Sequence, residues 1–273
     1  MSYTNFKPEF WSNHIQHELA KFTVFENDCD YKFEGEIQHG KALHIIGVTA
    51  PTIGDYTGAS IGSPEDIEGE KQTLLVDKAK YFNIGIDDVD RAQSKKGTFE
   101  AYMDETTRAM AEVRDSYIAN LAAGHAYTSA SLAITDKDTA KDAVDGALLN
   151  LMNNGVKAGR DKVTIYLTPA FYFAFKDYIV ETKTKNDSAL ASGELGRYMG
   201  ANIKITNNAA KDGGDDLIIV KTSKAIAFAS QINNVEAYRP QDLFKDAVKG
   251  LNTFGGKVVR PKEMYVIKAH YTA

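Results

Sequence analysis

A chain of 273 residues, 43% hydrophobic and 25% charged, has room for a substantial core or for two modest domains sharing one. Its formal net charge of −5 argues against a protein whose main task is gripping nucleic acid, because such proteins neutralise phosphates with a basic excess. The charge excludes a tight binder and not a container. Cys29 is the only cysteine, which excludes an intramolecular disulfide and a cysteine-based zinc site.

The opening residues Met1 to Lys7 carry neither a basic cluster nor an apolar run, so no secretory signal is expected there. No stretch approaches the roughly 18 apolar residues that a membrane helix needs. From Met1 to Phe33 aromatic and charged residues mix. Phe6, Phe10, Trp11, Ile15 and Leu19 are spaced for a short amphipathic helix after Pro8, an arm that needs its own domain or a neighbouring copy to dock on. From Gly35 to Ile86 the pattern turns strand-like, with an apolar Leu43 to Val48 and an alternating Thr73 to Ile86. The polar, glycine-rich stretch between them, Gly54-Asp55-Tyr56-Thr57-Gly58 and Gly62-Ser63-Pro64-Glu65, predicts a projecting hairpin. Such a hairpin is marginal alone and needs a partner surface.

The strongest helical signal follows. Phe99, Tyr102, Met103, Thr106, Met110, Val113, Tyr117 and Leu121 step by threes and fours, predicting a helix from about Phe99 to Ala123, roughly 37 Å long, with Gly124 as its stop. Beyond Thr135 the chain reads as an α/β unit. Thr135 or Asp136 caps a helix carrying Val144, Ala147, Leu148 and Leu151, ended by Asn153-Asn154-Gly155. Val163 to Leu167 is a buried strand, and Thr168-Pro169 opens a helix with Phe171, Phe175, Tyr178 and Ile179. Ile203 to Thr206, Leu217 to Val220 and Ala225 to Ala229 read as strands, with a turn at Lys211-Asp212-Gly213-Gly214-Asp215. A short helix is expected from Pro240 through Leu243 and Phe244. Strands Asn252 to Val259 and Glu263 to His270 close the chain.

Catalytic motifs are missing from this sequence. There is no phosphate-binding Walker loop and no nucleophile elbow; Gly193, Gly196 and Gly200 follow no strand and lack dinucleotide-loop spacing. His14 and His17 share a helix face but have no nameable third ligand, and a polar helix face explains them. Asp87, Asp88 and Asp90 lack the alternation and central glycine of a calcium loop; acidic groups before the long helix suit its positive end. Lys71, Lys78 and Lys80 have two readings: protection of an exposed strand edge, or contact with an acidic patch on a neighbouring copy. No cofactor and no metal are expected.

Several segments in order resemble the major capsid proteins of tailed bacteriophages of the Hong Kong 97 type. Phe6-Lys7-Pro8-Glu9-Phe10-Trp11 and Val24-Phe25-Glu26-Asn27 look like that family's N-terminal arm. Gly35-Glu36-Ile37 leading to Thr52-Ile53-Gly54-Asp55-Tyr56 looks like its extended loop. Tyr81-Phe82-Asn83-Ile84, Asp87-Asp88-Val89-Asp90 and Ala92-Gln93 look like the approach to its spine helix. The resemblance implies an α+β capsid fold: an arm (1–33), an extended β-hairpin loop (34–86), a peripheral domain with the spine helix (87–135), an α/β axial domain (136–233) and return strands of the peripheral domain (234–273). It implies a non-enzymatic coat protein, made in the bacterial host cytoplasm and ending in the virion. Its copies would form pentamers and hexamers of a shell around double-stranded DNA, with portal and scaffolding or head-decoration proteins as further partners and no membrane. Candidate inter-subunit contacts are Phe6, Phe10, Trp11, Asp55, Tyr56, Lys71, Lys78 and Lys80. The lysine–asparagine crosslink of some relatives has no matching motif here. An encapsulin-like compartment shares the implied fold and is the alternative; an enzyme built on the α/β segment is the second.

Overall fold

Strand runs that are apolar at every position need cover on both faces. The computed structural model, which describes residues 22–32, 42–46, 53, 71–87, 98–181, 196–242 and 245–271, supplies that cover by layering. Fifteen named elements carry the description: β1 Ala42–Ile46, β2 Lys71–Leu75, β3 Lys78–Asp87, α1 Thr98–Asn120, β4 Thr128–Ile134, α2 Lys137–Asn153, β5 Val163–Leu167, α3 Pro169–Glu181, β6 Arg197–Tyr198, β7 Ala201–Ile205, β8 Lys211–Asp212, β9 Asp215–Thr222, β10 Ile226–Tyr238, β11 Lys245–Val258 and β12 Met264–Tyr271.

A seven-stranded mixed sheet runs β4-β12-β9-β5-β7-β6, with β8 hairpinned onto β9. Side chains alternate across it. Ile165 of β5, Ile218 and Val220 of β9 and Ile267 of β12 meet Val144, Leu148 and Leu151 of α2 and Phe171 and Phe175 of α3. Their neighbours Tyr166, Leu217, Ile219 and Val266 face the opposite layer, against Phe25, Ile118 and Ala122 and the aromatic rings of Phe228 and Phe254. That layer consists of α1 and a second sheet, β10-β11-β3, all antiparallel. A third, two-stranded sheet pairs β1 with β2 from Ala42↔Leu75 to Ile46↔Lys71.

Local chemistry sets the element ends. Asp136 is extended and accepts from Thr139 N at 2.8 Å, while Thr139 Oγ1 accepts from Asp136 N, a capping box that starts α2. Gly124 at φ +74° and Gly155 at φ +91° follow α1 and α2, a backbone state that penalises a Cβ. Gly213 and Gly214 turn β8 into β9.

Four expectations change. The long strand expected from Thr73 to Ile86 breaks at Val76-Asp77: its first part pairs with β1 and its second, β3, joins β11. β10 runs to Tyr238, well past Ala229. No helix starts at Pro240 among the described residues; Gln241 and Asp242 form a turn, and Leu243 and Phe244 lie outside the described residues. The last strand, expected to return to the peripheral domain, lies between β4 and β9 in the large sheet. Met264, Val266, Ile267 and Ala269 are buried there, which only a strand covered on both faces achieves.

Gly255 marks where β2 crosses β11. A Cβ there would stand 2.1 Å from Leu75 O and 2.8 Å from Val76 Cα, so main chain must shift. Gly255→Ala is expected to cost about 2 kcal/mol, a melting-point drop of about 5 °C in calorimetry. Gly146→Ala in α2, where a Cβ meets open space, is expected to raise stability by about 0.5–1 kcal/mol. Equal effects of the two substitutions would refute this packing.

Candidate inter-subunit surfaces and the arm clamp

The hairpin root is tied to its own body. Ile45 of β1 with Leu74 and Val76 packs against Ala227 and Ala229 of β10. Lys257 Nζ donates to Thr73 O at 3.1 Å, and Gln72 Nε2 to Val259 O at 3.4 Å. Lys71 ends this root opposite Ile46. Lys78 and Lys80 do not share that hairpin; they stand on β3, the terminal strand of the second sheet, opposite Phe254 and Asn252. Both are exposed, Lys78 pairing only with its neighbour Asp77 at 3.1 Å among the described residues. Tyr81 beside them is 80% exposed, with Leu251 and Leu75 also exposed. Among the described residues the outer edge of β3 pairs with nothing, so the surface combines free strand hydrogen bonds, two ammonium groups and a phenol. Edge lysines block indiscriminate strand addition while leaving the edge open to an acidic partner. Phe6, Phe10, Trp11, Asp55 and Tyr56 lie outside the described residues, as do His14 and His17; Ile53 within the loop is 94% exposed.

The arm's last part carries the densest charge chemistry, and it lies inside the protein. A 3-10 turn, Glu26–Asp28, sits between α1 and the large sheet. Asp115 of α1 accepts from Val24 N at 2.6 Å, Phe25 N at 3.1 Å and Glu26 N at 3.4 Å. Its neighbour Arg114 forms a buried ion pair with Glu26 and lies 5.3 Å over the Phe228 ring. Asp28, 2% exposed, receives Lys162 Nζ and Lys204 Nζ, each at 2.6 Å, and Tyr166 Oη at 2.9 Å. Lys221 is fully buried and donates to Asp28 O. Phe25 stacks on Tyr166 with ring centroids 4.3 Å apart, and Asp30 pairs its backbone with Ile226 and Phe228.

Burial opposes the charge on Asp28, but the hydrogen bonds from Lys162, Lys204 and Tyr166 outweigh it and hold the carboxyl at about 2, below its ordinary 3.8. Burial raises Asp115 from its ordinary value against the pull of its three N–H donors. Burial also lowers Lys221 and pushes the Cys29 thiol up to about 11, so Cys29 stays protonated and is a poor nucleophile. These groups bind one another, and chemically the arrangement is a lock.

Sequence reading missed this lock. The helical stripe pointed to Tyr102 and Val113 as inward, yet both are exposed while Arg114 and Asp115 are buried. The signals existed: an adjacent opposite-charge pair within the stripe, and Lys221 extending the apolar run of β9.

No protein-family model and no curated protein matches the chain. Solved structures do. The chain is 30% identical to a protein of Mycobacterium phage Che8, with a TM-score of 0.74 and 90% of each chain covered. It superposes on a chain of the Cyanophage P-SCSP1u capsid structure with a TM-score of 0.72 at 17% identity, covering 92% of this chain and 89% of that one. A chain of the bacteriophage PhiM1 mature capsid gives 0.65 at 12% identity over 90% and 87%; these last two likenesses concern the fold.

The Asp28 carboxyl sits lower in the folded protein than the 3.8 of the free group, so its stabilisation is complete above about pH 4 and is lost as pH falls toward 2. Asp115, raised, pulls the opposite way, so the comparison with a variant isolates Asp28. Asp28→Asn is expected to cost about 2 kcal/mol at pH 7 and to flatten the decline between pH 4 and 2, read by urea denaturation. A variant that tracks the parent at both pH values would remove Asp28 from this role.

Proposed function

From the premise that this chain belongs to the major capsid proteins of tailed bacteriophages, of the Hong Kong 97 type, we propose how its parts build the shell. It is a coat protein, and its work is self-assembly. The observation that carries this is the 30% identity sustained over 90% of both chains.

In the proposed arrangement the seven-stranded sheet with α2 and α3 is the axial domain, packing around pentamer and hexamer centres. The sheet β10-β11-β3 with α1 is the peripheral domain, α1 being its spine. Residues 34–75 form the extended loop and residues 1–33 the arm. β12, returning into the large sheet, makes the axial domain discontinuous in sequence. The arm residues Phe6, Phe10 and Trp11 and the loop residues Asp55 and Tyr56 dock on neighbouring copies, as do Lys71, Lys78 and Lys80. Heterologous contacts of this kind close into rings when the rotation allows, and many modest contacts sum through high effective concentration. The shell is icosahedral, encloses double-stranded DNA, and joins a portal and scaffolding or decoration proteins. An encapsulin-like compartment has weaker support, because the 30% identity is to a phage protein.

Deleting Gly54 to Glu70 is expected to leave the body folded, since the hairpin root holds itself through Ile45, Leu74 and Val76, and to abolish shells. Circular dichroism checks the first and negative-stain microscopy the second. Normal particles from the deletion would overturn the proposed role of the loop.

A further inference from the structure

One end of the large sheet gathers six cations, of which the lock uses only Lys162. Three connections meet there: the α2–β5 loop, the β9–β10 turn and the β11–β12 turn. Ser223 N donates to Lys162 O at 3.2 Å, Asn154 Nδ2 to Lys262 O at 3.2 Å, and Val259 N to Ala225 O at 2.9 Å, so the three form one surface. They carry Lys157, Arg160, Lys162, Lys224, Arg260 and Lys262, all exposed. Lys162 is engaged with Asp28, and Arg260 with Glu263 at 2.9 Å. Asp161 is spent on Lys157 N at 2.9 Å. Lys157, Arg160, Lys224 and Lys262 have no carboxylate partner among the described residues. The surface is also preformed. Gly155 and Gly159 at φ +91° and +93° shape the α2–β5 loop, which lies so close to the turn between β6 and β7 that a Cβ on Gly200 would be 3.0 Å from Gly159 N.

We propose that this basic sheet end is the surface on which the coat protein meets the phosphates of double-stranded DNA. The inference rests on the capsid reading, which supplies the polyanion. Two features favour nucleic acid over an acidic protein. The three connections intersperse their cations with Gly, Asn, Ser and Pro and carry no aromatic residue, the anchor that protein interfaces centre on; the exposed apolar side chains beside them are those of Met152 and Met199. Four unpaired cations on a chain of net charge −5 give a local, sequence-independent attraction that salt screens, strong enough to seat a duplex and too weak to hold it.

The test uses the full chain at a concentration where light scattering shows unassembled subunits, and a fluorescent 30-base-pair duplex. Anisotropy is followed from low to physiological salt for the parent, for Lys157→Gln/Arg160→Gln/Lys224→Gln/Lys262→Gln, and for a control of equal charge, Lys176→Gln/Lys211→Gln/Arg239→Gln/Lys249→Gln. The expected result is at least tenfold weaker binding by the first variant at low salt, with the slope of log K against log salt shallower by about 3. The control should stay within about twofold of the parent. Melting curves confirm that both fold; if the first does not, Lys157→Gln and Lys224→Gln alone carry the comparison. Equal losses in both variants, unaltered binding by the first, or no binding by the parent would overturn the proposal. Tighter binding of polyglutamate than of DNA would replace it with an acidic protein partner. Negative-stain microscopy in parallel separates the two claims: shells from a parent whose DNA binding ignores the four sites leave the capsid reading standing, whereas a parent without shells removes both.

Discussion

The structure depends on keeping charge buried and paired at the root of the arm. Glu26, Asp28, Arg114, Asp115 and Lys221 are all largely removed from water, at the place where α1, the second sheet and the large sheet converge. Ionised groups so placed are costly unless each finds an opposite charge or a hydrogen bond, and removing one partner leaves the other stranded. Asp115 is satisfied by three backbone N–H groups of the arm and Asp28 by groups from β5, β7 and the loop before β5, while Arg114 pairs its charge with Glu26. No shift of the arm by one residue preserves these pairings. The lock therefore sets the position of residues 24–30 in each copy and binds the two sheets through them.

How far the sequence reveals this differs by element. Elements governed by local rules were legible. The capping box at Asp136, the apolar five residues of β5, the glycine stop at Gly124 and the Lys211–Asp215 turn all follow from neighbours in the chain. Elements governed by distant partners were not. The break at Val76-Asp77 arises because β2 must pair with β1 while β3 pairs with β11, and nothing within the strand announces two partners. β12 looks the same by pattern wherever it pairs. Arg114 and Asp115 occupy the inward face of α1 only because the arm, about 90 residues away, neutralises them. Of the eight residues singled out for inter-subunit contact, Lys78 and Lys80 stand exposed, but on β3 and apart from the hairpin that was expected to carry them.

For a shell-forming protein this division makes physical sense. Contacts between copies must be individually modest to allow correction during assembly, so rigidity has to come from within the subunit. The lock supplies it without using exposed surface. The charges left outside then segregate, with lysines along the β3 edge and a basic patch at one end of the large sheet, on a chain that is acidic overall. Local charge patterns of this kind orient encounters far better than the net value suggests.

The most direct measurement is amide hydrogen exchange on the full chain before assembly. If the lock belongs to each copy by itself, the amides of Val24, Phe25 and Asp30 exchange as slowly as those of β9 in the central sheet. Rapid exchange at those three amides in unassembled subunits, with β9 protected, would mean that the arm root is seated only by neighbouring copies and would contradict the account.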